Sequence, residues 1–138
     1  MYSHLYQINP NINYECYNEY FVGSKINNFD NIDIIINCAD NLLEQDIVYL
    51  AHYCKEHQII LIDAGLSSKG TTCIRILKES DDFKSWLKNF ENIRKRPQLQ
   101  VSQPAYACAI TAGIACQLIV KYFKTGDLNY FQDQYSFN

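Results

Sequence analysis

The stretch Asn31-Ile32-Asp33-Ile34-Ile35-Ile36-Asn37-Cys38-Ala39-Asp40-Asn41 decides how the rest of this chain is read. Ile32 to Ile36 is β-branched and apolar with one interruption, at Asp33. A run that short and that branched predicts a strand buried on both faces, of the kind parallel α/β sheets contain. It stops abruptly in Asn-Cys-Ala-Asp-Asn, a polar turn ahead of a helical pattern. Ligands of open α/β sheets bind at the carboxyl ends of the strands. That places Asp40 and Asn41 on the rim where a nucleotide or its metal is met. Both residue types also cap helices well, so a cap for the helix that follows is the competing reading.

Beyond Asn41 the period changes. Leu43, Ile47, Leu50, Ala51 and Cys54 form one stripe of a helix over Leu42 to Gln58. His52 and His57 fall on its solvent face with no third ligand in register, so no metal site is expected there. Ile59 to Ile62 reads as the next buried strand, ending at Asp63-Ala64-Gly65. A polar loop through Gly70 leads to a further strand, Thr71 to Leu77. Lys78 to Arg96 opens on the acidic Ser80-Asp81-Asp82 and carries the amphipathic stripe Phe83, Trp86, Leu87, Phe90, Ile93 before Pro97 ends it. After a linker from Gln98 to Pro104, Ala105 to Phe123 predicts a second long helix closed by Lys124-Thr125-Gly126. Its residues Ala109, Gly113, Cys116 and Val120 recur at helical spacing, and their small size predicts a close seat on a neighbour. The tail Leu128 to Phe137 reads as two short strands.

On the amino side, Asn9-Pro10-Asn11 is a turn signal. Ile12 to Tyr20 alternates at strand period, and Gly23-Ser24 with Asn27-Asn28 predicts a loop or a very short helix. The expectation is one α/β domain over residues 1–138, with one strand–helix–strand unit that crosses over right-handed.

Composition narrows the function classes. Hydrophobic residues make up 48% and the formal net charge is -3, with basic residues scattered apart from Arg94-Lys95-Arg96. A nucleic-acid footprint needs a basic face, so no nucleic-acid partner is expected. The six cysteines, Cys16, Cys38, Cys54, Cys73, Cys108 and Cys116, form no C-x-x-C pair. Several lie in apolar runs, where free cysteine acts as a small hydrophobe. With no signal-peptide pattern at the start, these features predict a reducing cytoplasm, no disulfide framework and no zinc site. The apolar stretch Ala105 to Val120 is short for a membrane span of about 20 residues, and no membrane association is expected.

Taken in order, these landmarks resemble the ThiF/MoeB group of E1-like adenylating enzymes, relatives of ubiquitin-activating enzymes. Asn9-Pro10-Asn11 with Ile12-Asn13-Tyr14-Glu15 looks like the family's "lNP…v.v" segment. Ile32 to Asn41 looks like its "DvVvdatDn" strand and loop. The helix from Leu42, the strand Ile59 to Asp63, and the strand Lys69-Gly70-Thr71 to Ile76 follow in family order. Ala105 to Lys124 resembles the late helix "a.eaiK.l.g", and Leu128 to Phe137 the terminal strand pair. The resemblance implies a partial Rossmann-like sheet flanked by helices. It implies an enzyme that uses ATP and magnesium to adenylate a carboxylate, often at the C-terminus of a small carrier protein or peptide. By the same match Asp40 holds the metal and the reactive phosphate, and Asn41 is an orienting group beside the nucleotide. A carboxylate with a hard cation is how magnesium is usually held beside phosphates.

The departures are as specific. The family's Gly-rich loop, ribose-binding acid, Arg and Lys precede the segment matched by Asn9, and no G-x-G-x-x-G occurs in this sequence. Gln45 stands where the family often has Arg. The paired cysteines for zinc are absent, and Lys78 to Ala105 contains no cysteine to form a thioester. The leading expectation is the carboxyl-side part of such an enzyme, its nucleotide loop supplied from elsewhere. An alternative is a non-catalytic module that forms a homo-oligomer or docks a complementary chain. A third is a fragment of a nicotinamide-dependent dehydrogenase, although no Tyr-x-x-x-Lys is present.

Overall fold

The computed structural model describes residues 5, 7–28, 31–39, 42–66, 72–94 and 105–126. Three strands form one sheet: β1 (Ile34–Asn37), β2 (Ile60–Leu66) and β3 (Thr72–Leu77), in the order β1-β2-β3. β1 and β2 are parallel and joined by helix α1 (Glu44–Glu56), while β2 and β3 are antiparallel. Helices α2 (Ser80–Arg94) and α3 (Ala105–Thr125) follow. This is the α/β architecture that the hydrophobic periods predict.

The strand at the centre is β2, not β1. Leu61 and Ile62 of β2 are fully buried, whereas β1 is half-buried and leaves Ile36 43% exposed. The sequence predicts double burial for β1 because its isoleucines are unbroken. Among the described residues, however, only β2 pairs with it, and an end strand is covered less completely than a central one. The alternating residues of β2 divide the core. Leu61 joins Ile35, Leu77, Phe83, Trp86 and the α1 stripe Ile47, Leu50, Ala51 and Cys54 on one face. Ile60, Ile62 and Ala64 pack on the other face with Ile34, Ile74 and Ile76 and with Ala115, Ile119 and Tyr122 of α3.

Each helix boundary has a local cause. The N-cap of α1 is Leu43, which has no side-chain acceptor, so the first turn gains support from Glu44 and Asp46 near the positive helix end. Leu43 is 58% exposed and is the one member of the expected α1 stripe outside the core. Asp82 anchors the start of α2 by accepting from the Glu79 and Lys78 backbone N–H groups at 2.9 and 3.2 Å, the reciprocal half of a capping box. Phe90 and Ile93 of the α2 stripe lie outside the described side chains. Gly126 ends α3 with φ +68°, its N–H donating to the Tyr122 carbonyl at 2.8 Å.

Two expectations are corrected. No strand forms over 12–20: Tyr17 is 57% exposed, Tyr20 is 94% exposed, and residues 13–18 have no regular structure. Alternation supplies a face but not a ladder, and no described strand offers this segment its hydrogen bonds. In α3 the buried set is Ala107, Thr111, Ala115 and Leu118, whereas Ala109, Gly113, Cys116 and Val120 face outward. The Thr111 hydroxyl fixes that rotation, with contacts to the Ala107 carbonyl at 2.8 Å and to the Thr72 hydroxyl of β3 at 3.2 Å. α3 runs 21 residues with a mean hydropathy of 1.4 in its most apolar window, so by length and composition alone it could cross a membrane. The expected tail strands, Thr71 and the basic pair Lys95-Arg96 lie outside the described residues, while residues 23–28 form the short 3-10 helix that the sequence allows.

Candidate functional site

The carboxyl ends of β1 and β2 bring together polar groups that close two otherwise apolar runs, Ile-Ile-Ile-Asn and Ile-Leu-Ile-Asp. Asn37 and Asp63 are register partners across the parallel pair. The Asn37 side-chain amide donates through Nδ2 to Asp63 Oδ1 at 2.8 Å. The second oxygen of Asp63 accepts the indole N–H of Trp86 at 2.8 Å. Trp86 projects from α2 and is 2% exposed, so the carboxylate is tied to the helical layer as well as to β1. At its other end the Asn37 amide accepts the Ala39 backbone N–H at 3.2 Å, an Asx turn at the head of the loop.

Asp40 and Asn41, the residues the sequence singles out for metal, phosphate and nucleotide, lie outside the described residues. They follow directly on the Ala39 turn. The N-cap position of α1 is occupied by Leu43, which makes no side-chain cap hydrogen bond. Asp63 accepts one hydrogen bond on each carboxylate oxygen. The described residues hold no cluster of three or more potential metal-ligating side chains.

Cys38 sits in the same turn and is not built as a nucleophile. Partial desolvation, then the negative charge of Asp63, then Cys116 push its thiol above the ordinary value. A reactive thiolate needs the opposite shift. Cys54 is fully buried, and burial pushes its thiol up to about 12. Of the remaining cysteines, Cys73 is half-buried and Cys16, Cys108 and Cys116 are exposed, so an apolar run does not by itself bury the thiols of Cys108 and Cys116. All six are free thiols. His52 on α1 and His57 at its C-cap are both exposed, as their wheel positions predict, and the His57 ring packs on Tyr53 with centroids 4.3 Å apart.

Asn37, Asp63 and Trp86 are the residues that reading the sequence alone passes over as parts of a site. The signal is present but weak: one polar residue closes each of two apolar strands, and only the register shows that the two meet.

A family model, that of the ThiF family, matches residues 1–137. No curated protein and no solved structure matches the chain.

Proposed function

The chain belongs to the ThiF family of E1-like adenylating enzymes, and from that membership we propose that it contributes the metal–phosphate side of an ATP-dependent adenylation site. The observation that carries the reading is the Ala39 turn at the carboxyl end of β1, which leads directly into Asp40 and is held by Asn37. In the proposed reaction a carboxylate oxygen forms a bond to the α-phosphorus of ATP. The bond from that phosphorus to the bridging oxygen breaks, and pyrophosphate leaves with the electron pair. Catalysis of such a transfer comes mainly from positioning and charge neutralisation. Asp40 holds magnesium against the phosphates, which supplies that neutralisation, and Asn41 orients the nucleotide. The carboxylate is the C-terminus of a small carrier protein or a peptide. These 138 residues contain no G-x-G-x-x-G, so the phosphate-cradling loop is contributed from outside them.

The test is ATP–pyrophosphate exchange by the assembly that includes the Gly-rich segment. Exchange that depends on a carboxylate substrate and is lost in Asp40→Asn is the expected result. Because asparagine caps a helix about as well as aspartate, that variant should melt with the wild type. Undiminished exchange in Asp40→Asn would remove the assignment.

A second reading, a partner-docking module, is favoured by the outer face of α3. Tyr106, Val120 and Phe123 are 67%, 53% and 65% exposed. Exposed apolar patches mark interfaces, and a second copy or a complementary chain would cover this one. Light scattering at micromolar protein tests the second copy, since a monomer at every concentration excludes self-association.

A further inference from the structure

Three hydrogen bonds run in series from the helical layer to the turn at Ala39. Trp86 Nε1 donates to Asp63 Oδ2, Asn37 Nδ2 donates to Asp63 Oδ1, both at 2.8 Å, and the Ala39 N–H donates to Asn37 Oδ1 at 3.2 Å. The series leaves the Asn37 amide a single usable orientation. Turned over, it would set its carbonyl against a carboxylate, which only accepts, and its NH2 against the Ala39 N–H, which only donates. The indole sits in the core, so the far end of the series is fixed by packing and not by solvent. The near end closes one residue before Asp40.

We propose that Asn37 and Asp63 are positioning residues for the proposed adenylation site: the carboxylate of Asp63, anchored by Trp86, sets the Asn37 amide and with it the turn at Ala39, the last described residue before the proposed magnesium ligand in the sequence. The identity of that ligand rests on the adenylation reading above, whereas the hydrogen-bond series does not. Positioning of this kind is costly to lose, because a misplacement of about 1 Å in a reacting group can reduce a rate on the order of 100-fold.

The chemistry of the amide and the carboxylate supplies a test by exchange. In Asp63→Asn the introduced amide must offer its carbonyl to the Trp86 N–H, which points its NH2 at Asn37. The Asn37 amide then turns over to accept, and the Ala39 N–H loses its acceptor. In the double variant Asn37→Asp with Asp63→Asn, every donor faces an acceptor again and the charge is unchanged. Two readouts are taken: the temperature coefficient of the Ala39 amide proton by NMR in the chain without nucleotide, and kcat and KM for ATP in pyrophosphate exchange by the complete assembly. Asp63→Asn is expected to move the Ala39 coefficient toward that of a solvent-bonded amide. It is also expected to lower kcat by roughly tenfold to a hundredfold with KM for ATP little changed. The double variant is expected to restore both. An Ala39 amide unaffected by Asp63→Asn, or a double variant no better than the single one, overturns the proposal. Absence of exchange in the wild-type assembly instead overturns the adenylation reading, and the Ala39 signal still decides the turn by itself.

Discussion

Gly23 and Asp46 are fixed to each other where the 3-10 helix meets α1. The Gly23 N–H donates to Asp46 Oδ1 at 2.8 Å in a buried contact, and a Cβ on Gly23 would lie 2.8 Å from the Tyr49 Cβ and 3.2 Å from the Asp46 Cα. The atoms that such a Cβ would meet belong to the helix itself, close to its axis, and cannot swing aside. This pair seats the 3-10 helix so that Ile26, 3% exposed, joins the core with Ile47 and Leu50.

Gly23→Ala is therefore expected to push the 3-10 helix off α1 at about 1–3 kcal/mol, the usual cost of overpacking. Asp46→Ala should cost about the same, because it leaves the buried Gly23 N–H without its acceptor. Urea denaturation midpoints measure both. The two losses should be less than additive in the double variant, since they act on one contact. Midpoints equal to wild type would show that the 3-10 helix is not seated on α1 in solution.

Trp86→Phe keeps an aromatic ring in the core but removes the donor to Asp63 Oδ2. It also takes away part of an indole that is 2% exposed. A loss of about 1–3 kcal/mol is expected for the unpaired oxygen. Thermal unfolding followed by circular dichroism reads it. A fall well below that range would mean that water replaces the indole N–H.

Gly113 behaves differently from the expectation raised by its small neighbours. A Cβ there meets nothing within 4 Å, and the residue faces outward on α3. Gly113→Ala should stabilise the protein by roughly 0.5–1 kcal/mol, because glycine in a helix interior has more backbone freedom to lose on folding than alanine. A rise in melting temperature is the expected observation. A fall would show that a partner occupies this face closely.

Cys54 gives a pH dependence with a definite sign. Its thiol is pushed up to about 12 in the folded chain from an ordinary value of 9.0. The unfolded chain therefore releases this proton first, and stability is lost as pH rises from about 9 toward about 12. Below that window the contribution is fully present. The stability difference between wild type and Cys54→Ala should narrow across the same window in urea titrations. Iodoacetamide at pH 8 should modify Cys16, Cys108 and Cys116 in the folded protein and reach Cys54 only after unfolding.

Much of the fold was already legible in the residues. The periodicities of Ile32 to Ile36, Leu42 to Gln58, Ile59 to Asp63 and Thr71 to Leu77 determined a strand–helix–strand unit and a further strand. Gly126 determined where the late helix ends, because only a residue tolerant of positive φ closes a helix that way. The apolar run that stops at Asn37 determined where the first strand ends, since its polar residues must open onto the rim of the sheet. These are local signals, carried by chemistry within a few residues of each other. Tertiary structure alone decided which strand is central, because burial depends on how many neighbours a strand acquires and not on how apolar it is. It decided which side of α3 faces the sheet through the Thr111 hydroxyl on Thr72, 39 residues away. It also decided that Asn37, Asp63 and Trp86 share one set of hydrogen bonds, across separations of 26 and 23 residues. A polar residue at the end of an apolar strand shows its own hydrogen-bonding capacity in the sequence, but its partner exists only once the strands are in register.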